Sequence, residues 1–222
     1  MTADPPAAED RATGLQSAEG GNGLERLVFF SDAVVAIAIT LVALPLVDSA
    51  RSLDGRPASV FLHLNATGLL AAAISFGVIG GFWREHHRVF STATGYTRQV
   101  MQLNMYWLCG IMAVPVVTVL VVSGTGKDRL ALGLYLGVII LVRILLMAQD
   151  VLLARGNLVG TRHLGSGMLL RHLVPIALLV VALVATMVIP AWGMWPVLLL
   201  VLERPLQQVI TRNEEGAERP PR

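Results

Sequence analysis

Cysteine and charged residues are both scarce in this sequence, and each scarcity excludes a class of protein. The one cysteine, Cys109, excludes an intrachain disulfide and a metal site built from several cysteines. Charged residues make up 14% of the 222 residues and hydrophobic residues 55%, whereas soluble domains carry about 25% charged residues. The net charge of +2, with no basic stretch interleaved with aromatics, gives no reason to expect a nucleic acid partner. This composition indicates an integral membrane protein whose partner is the lipid bilayer.

Motifs for enzyme chemistry are also lacking. The sequence has no glycine-rich nucleotide loop, no recognisable catalytic triad and no HExxH pair. His63 and His87 lie at opposite ends of one predicted span, about 36 Å apart at about 1.5 Å per residue, and so cannot ligate one haem. We therefore expect a protein that is not an enzyme and holds no cofactor and no metal. At this point a purely structural membrane protein remains open.

Long apolar runs dominate the rest of the chain and predict an all-α, polytopic membrane protein. A span needs about 20 apolar residues. Six spans are predicted, the last of them short and interrupted by Pro196, near 26–47, 60–83, 101–123, 129–153, 170–189 and 191–203. Residues 1–23 and 204–222 are predicted to be two cytoplasmic tails, the first disordered, around one membrane domain at 24–203.

Basic residues are distributed unevenly between the two sides of this topology. The side that holds both tails and the second and fourth loops receives twelve arginines, and the other side receives four basic residues. The positive-inside rule then predicts a multi-pass protein of the inner (plasma) membrane with both termini in the cytoplasm, which requires an even number of spans. Arg143 falls inside the fourth span, where it would pair with Asp150 or extend toward the interface.

The first span contains a carboxylate near its start, in "RLVFFSDAVVAIAITLVALPL". A charged group inside a membrane is costly, so Ser31 and Asp32 require polar partners within the protein. The second span offers a polar segment at the same predicted depth, and the third span offers one amide. The candidates include Trp83, His86, His87 and Asn104. We predict that they form a buried network that fixes the rotation of the first helix.

The same span carries an aliphatic stripe beyond the carboxylate. Ile37, Leu41 and Leu44 follow the spacing i, i+4, i+7 and so share one helical face, with Thr40 beside them. A stripe of this kind more often faces lipid or core than a pore. The polar cluster at 31 and 32 changes that balance, because it forces one end of the helix to face protein.

These residues resemble the first helix of bacterial members of the transmembrane protein 175 family of potassium channels. Arg26, Phe30, Ser31 and Asp32 match the hallmark of that helix, and Pro115 matches a weaker signature in the third span, although Val116 stands where an aromatic is expected. The resemblance implies a homotetramer that conducts potassium ions passively, with four first helices around one pore. It places rings of pore-constricting side chains at Ile37, Leu41 and Leu44, with Thr40 as a hydroxyl ring. It also assigns Arg26 and Phe30 to the network that sets the tilt of the pore helix.

One alternative within transport is a proton-permeable or proton-coupled protein. Asp32, His86 and His87 would form the relay, since histidine changes charge near neutral pH. Adjacent histidines on a helix point about 100° apart, so at most one of them faces a given path. We therefore favour the network interpretation of these residues.

Overall fold

The structure, a computed structural model, describes residues 5–124, 128–159 and 166–188, with side chains described over 22–124, 128–159 and 170–188. Six helices lie in these ranges: α1 (Pro5–Arg51), α2 (Ala58–Leu64), α3 (Ala66–Phe90), α4 (Arg98–Ser123), α5 (Arg129–Arg155) and α6 (Ser166–Val188). Five segments within α1, α3, α4, α5 and α6 are long and apolar enough to cross a membrane. The predicted all-α membrane fold is confirmed. The predicted sixth span and C-terminal tail lie outside the described residues.

The second span is displaced from its predicted position at 60–83. Asn65 separates a short helix, α2, from the spanning helix α3. Its side-chain nitrogen donates to the Phe61 carbonyl (3.0 Å), and its side-chain oxygen accepts from Ser49 of α1 (2.6 Å). Such a side chain competes with the regular helical bonds and interrupts the helix. Helix α3 then continues to Phe90, and the polar residues 83–88 all lie within it.

Helix α1 also begins earlier than the predicted span. Its first residue is Pro5, so the structure places helix in residues 5–23, where composition predicts a disordered tail. The segment directly precedes the apolar span, and lengthening an existing helix costs much less than starting one. The division into two tails and one membrane domain stays a prediction.

Helix α4 forms the centre of the described bundle. It packs against α1, α3 and α5, and α6 packs against the far side of α5. The largest completely buried apolar side chains come from α3, α4 and α5, and they include Ile79, Trp107, Ile111, Leu136 and Ile139. Gly110 lets α4 and α5 approach closely, since a Cβ there would lie 2.6 Å from Val142 Cγ2. Small residues serve this purpose at helix contacts in lipid.

The loops that follow α3 and α5 are joined to each other. The Thr94 amide donates to the Leu158 carbonyl (2.8 Å), and Ala93 and Val159 form an isolated antiparallel bridge. Gly23, at the start of the spanning part of α1, lies against the Tyr96 ring of the first of these loops. The loop after α3, the loop after α5 and the start of the spanning part of α1 therefore lie at the same end of the bundle.

Candidate functional site

Helix α1 has one buried face, and this face packs on its neighbours. Five residues with helical spacing are buried there: Leu27, Ser31, Val35, Ala38 and Val42. The face contacts α3 and α4. This buried face includes Ser31 of the predicted network. The rotation of α1 is therefore set by an apolar stripe that contains one hydroxyl group.

The opposite face of α1 is exposed in the single chain. Ile37 is 52% exposed and Leu44 51% exposed, and Thr40 is exposed between them. The Thr40 hydroxyl donates to the Ile37 carbonyl (2.8 Å), so it is turned back onto its own helix. Leu41 is half-buried and lies at the edge of this face. Within one chain, the predicted stripe is therefore exposed at two positions and half-buried at the third.

Ser31 is connected to α3 through α4. Its hydroxyl donates to the Leu27 carbonyl (2.8 Å) and accepts from Asn104 Nδ2 (2.8 Å). Asn104 Oδ1 lies 2.9 Å from His86 Nε2. Because an amide oxygen only accepts, His86 Nε2 carries the hydrogen of this bond. One short series of hydrogen bonds thus joins α1, α4 and α3.

His86 is held on both faces of its ring as well as at its edge. The imidazole stacks on Phe90 and on Trp107, with ring centroids 4.4 Å apart in each case. The side chain is almost completely buried. An imidazole packed in this way has one orientation, so it fixes where Asn104 points.

Asp32 has its own partner on α3. Trp83 Nε1 donates to Asp32 Oδ1 (2.8 Å), and the Trp83 ring stacks on His87 with centroids 5.9 Å apart. Trp83 and His87 are exposed in the single chain. This hydrogen bond links α1 to α3 a second time, at a more exposed position than the series from Ser31 through Asn104 to His86.

The structure does not bring every predicted network residue together. Arg26 and Phe30 are exposed, and neither makes a described hydrogen bond through its side chain. The described hydrogen bonds also do not join Asp32, His86 and His87 into one path, since His86 bonds Asn104 and Asp32 bonds Trp83. The relay of the proton alternative therefore has no continuous connection in the described residues.

A second polar cluster lies among α3, α5 and α6, and the sequence analysis identified only Arg143 and Asp150 of its members. Glu85 accepts from Arg143 and from Arg88, the latter at 2.9 Å. Asp150 Oδ2 lies 2.9 Å from His172 Nε2. The charges inside apolar spans were a visible signal, but the pairing of Glu85 with Arg143 crosses 58 positions and depends on how α3 and α5 are rotated.

A third group of polar atoms lies between α3, α4 and α5. The Ser75 hydroxyl is 2.8 Å from the Thr118 hydroxyl and 3.2 Å from that of Tyr135. These three residues line a cavity of about 20 Å³, enough for one water. No set of three histidine, cysteine or acidic side chains in the described residues could hold a metal ion.

Comparison with known proteins shows what this chain is similar to. Residues 26–115 match the sequence model of the family described as the endosomal/lysosomal potassium channel TMEM175. A curated relative, potassium channel B446_29190 from Streptomyces collinus, is 38% identical over 106 residues, which are 47% of this chain and 50% of that protein. The chain thus matches about half the length of this relative.

A solved structure extends the likeness beyond the matched sequence. It is the crystal structure of a lysosomal potassium-selective channel TMEM175 homolog from Chamaesiphon minutus, with a TM-score of 0.68 at 21% identity. The match covers 84% of this chain and 98% of that one, and at this identity it shows the fold. The relatives named here are channels, in agreement with the prediction that the chain is not an enzyme. The predicted resemblance is confirmed: the chain is similar to the TMEM175 family in sequence over residues 26–115, and its fold matches that of a TMEM175 homolog over 84% of its length.

Proposed function

We propose that this chain is one subunit of a potassium-selective channel, in which four copies of α1 line a pore that conducts passively. The observation that carries the proposal is the exposed face of α1. Ile37, Thr40 and Leu44 share it, and the buried face behind it is fixed to α3 and α4. Potassium is proposed as the ion because both relatives named above are described as potassium channels.

The constriction in this proposal is made of aliphatic side chains. A ring of isoleucine or leucine closes a pore by excluding water, because an ion there loses its hydration shell and gains no ligands. The sequence contains no segment of the TVGYG type from which a filter of backbone carbonyls is built. Opening therefore requires the rings at Ile37, Leu41 and Leu44 to widen until water enters.

The network around Ser31 and Asp32 has a mechanical part in this proposal. Ser31 bonds Asn104, and Asp32 bonds Trp83, so α1 is held at two points to the rest of its own subunit. These residues do not coordinate the ion. They determine which face of α1 the subunit presents, and the same contacts bias its tilt.

The membrane placement also belongs to the proposal. The loops after α3 and α5 lie at one end of the bundle together with the start of the first span. In the predicted topology, this side of the membrane receives twelve of the sixteen arginines, counting both tails and the ends of the adjoining spans. We place this end and both termini on the cytoplasmic side of the cell membrane.

Current recording from the purified chain in a planar bilayer tests this function. We expect a reversal potential that follows the potassium gradient with sodium on the opposite side, and four copies per particle by native mass spectrometry. Ile37→Asn and Leu41→Asn should raise conductance and weaken the preference for potassium, because an amide admits water to the constriction. Leu141→Asn, at an exposed position of α5, is the matched control.

Three outcomes would contradict the proposal. Selectivity unchanged in both asparagine variants would remove the pore assignment. A current carried by protons in the absence of potassium would favour the proton-permeable alternative. No current from correctly assembled protein would favour a structural role.

A further inference from the structure

A cluster of charged side chains lies within the membrane-spanning helices, away from the exposed face of α1. It contains Glu85 and Arg88 of α3, Arg143 and Asp150 of α5, and His172 of α6, and we call it the α3–α5–α6 cluster. Four of its side chains are at most 10% exposed, and Arg88 is 35% exposed. Ionisable groups inside a membrane are costly and generally mark function. A passive pore lined by α1 does not by itself need this cluster.

The two nitrogens of His172 are in different situations. Nε2 lies 2.9 Å from Asp150 Oδ2 and donates to it, since an ionised carboxylate only accepts. Nδ1 is buried and has no hydrogen-bond partner among the described residues. Glu85 Oε1 lies 4.0 Å from it. In the neutral imidazole, Nδ1 carries a lone pair and a carboxylate oxygen lies 4.0 Å away.

Protonation of Nδ1 turns the interaction with Glu85 from repulsive to attractive. The nitrogen becomes a donor facing Glu85, and closing the gap from 4.0 Å to about 2.8 Å would form a charge-assisted hydrogen bond. The protonated ring would then lie between two carboxylates, Asp150 on one side and Glu85 on the other. Because His172 belongs to α6 and Glu85 to α3, the new bond would draw these two helices together.

The charges around His172 come from both helices that it faces. Helix α3 contributes Glu85 and Arg88, and α5 contributes Arg143 and Asp150. Arg171, next to His172 on α6, is half-buried. The two carboxylates and two guanidinium groups of the α3–α5–α6 cluster balance, so uptake of one proton adds one positive charge. Arg88, at 35% exposure, is the least buried member of the cluster in the single chain.

We propose that His172 is a proton-binding site that fastens α6 to α3 when charged, and that this event regulates the pore formed by α1. One turn of α3 carries both sets of contacts. Glu85 faces α5 and α6, whereas Trp83 and His86 bond Asp32 and Asn104. A shift of this turn toward α6 acts directly on both links that hold α1. The regulatory half of the inference rests on the proposed channel function.

Nuclear magnetic resonance of the full chain in lipid nanodiscs, with ¹⁵N-labelled histidine, tests the proton site without reference to conduction. His172→Gln assigns the signals of His172 by their loss. Between pH 8 and pH 5, roughly the range in which histidines titrate, we expect both ring nitrogens of His172 to become protonated. A ring that keeps one bare nitrogen throughout this range would overturn the inference.

Flux of ⁸⁶Rb⁺ into liposomes, with the same pH on both sides, tests the regulation. Wild type should change its flux at least about fivefold over that range, the lower end of usual coupling between sites. His172→Gln keeps a donor for Asp150 but takes up no proton, so its flux should be independent of pH. His63→Gln, at an exposed histidine of α2, is the matched control and should follow wild type.

The outcomes separate the two proposals. A wild-type flux independent of pH, or a His172→Gln profile equal to wild type, would overturn the regulation. If His172→Gln does not assemble, Asp150→Asn replaces it and should displace the midpoint of the pH response, and an unchanged midpoint would count against the inference. Flux absent at every pH would refute the channel function, and the resonance titration would still decide the proton site.

Discussion

Asn104 donates a hydrogen bond of 2.8 Å to the hydroxyl of Ser31, and neither side chain has any exposed surface. The bond joins α4, at the centre of the bundle, to the middle of the buried face of α1. Asn104 also accepts from His86, so its amide is used on both sides. A buried amide with both groups satisfied stabilises one arrangement of three helices and penalises any rotation that separates them.

Asn104→Ala should destabilise the folded protein by about 1 to 3 kcal/mol, the usual cost of leaving buried polar partners unsatisfied. The substitution removes the donor to Ser31 and the acceptor for His86 together. Thermal unfolding in detergent, followed by loss of the monodisperse peak, measures the effect. Gln102→Ala removes an exposed amide of the same helix and should leave the midpoint unchanged. Equal midpoints for the two variants would show that the Asn104 bonds contribute little.

Replacing one member of the buried Glu85–Arg143 pair should destabilise the folded protein more than the loss of the pair as a whole would suggest, because the remaining charge keeps no such partner. Either Glu85→Leu or Arg143→Leu leaves a charge without this partner inside the membrane, at a cost of about 3 to 5 kcal/mol. The double variant should lose clearly less than the sum of the two single variants. A double-mutant cycle of unfolding midpoints makes this comparison, and strict additivity would mean that the two side chains are not coupled.

Gly110→Ala should weaken the contact between α4 and α5, because the added methyl group would meet Val142 at 2.6 Å. Overpacking of this kind costs about 1 to 3 kcal/mol. Adding Val142→Ala should recover most of the loss, since it removes the atoms that clash. Gly137→Ala is the control, because no atom lies within 4 Å of a Cβ at that position. Unfolding midpoints that are equal for Gly110→Ala and Gly137→Ala would contradict the close approach.

Cysteines on the two faces of α1 should differ in their reaction with a water-soluble thiol reagent. In a Cys109→Ala background, we expect Ile37→Cys and Leu44→Cys to react and to lose most of their current, because both positions line the proposed pore. Ala38→Cys lies on the buried face and should be protected. Recording before and after the reagent measures the difference, and protection at position 37 with reaction at 38 would reverse the assignment of the faces.

Several features of the molecule could be predicted from residues alone. Apolar runs interrupted by few charges predict the membrane helices, because a span needs a minimum length of apolar residues. Ser31 and Asp32 inside such a run predict polar partners nearby, because lipid supplies none. Asn104, Trp83 and His86 lie at the matching depth in the sequence. In the structure Asn104 bonds Ser31, Trp83 bonds Asp32, and His86 bonds Asn104.

Other features depend on contacts between distant segments. At the break between α2 and α3, Asn65 accepts from Ser49, sixteen positions away, and the spanning helix begins only after it. The partner of Arg143 depends on which face of α3 turns toward α5, and periodicity places no constraint on that rotation. Leu41 shares a stripe with Ile37 and Leu44 on a helical wheel, yet it is half-buried whereas they are exposed.

The sequence by itself determined which segments enter the membrane and that the first of them must face protein, since both follow from the transfer of side chains between water and lipid. Only the tertiary structure decided how each helix is rotated and which charges meet. That choice is made by close packing, in which a glycine at position 110 or an amide at position 104 allows one approach of the helices and excludes the others. The carboxylate of Asp32 and the charges of the α3–α5–α6 cluster are therefore stable only in the partnerships that this packing creates.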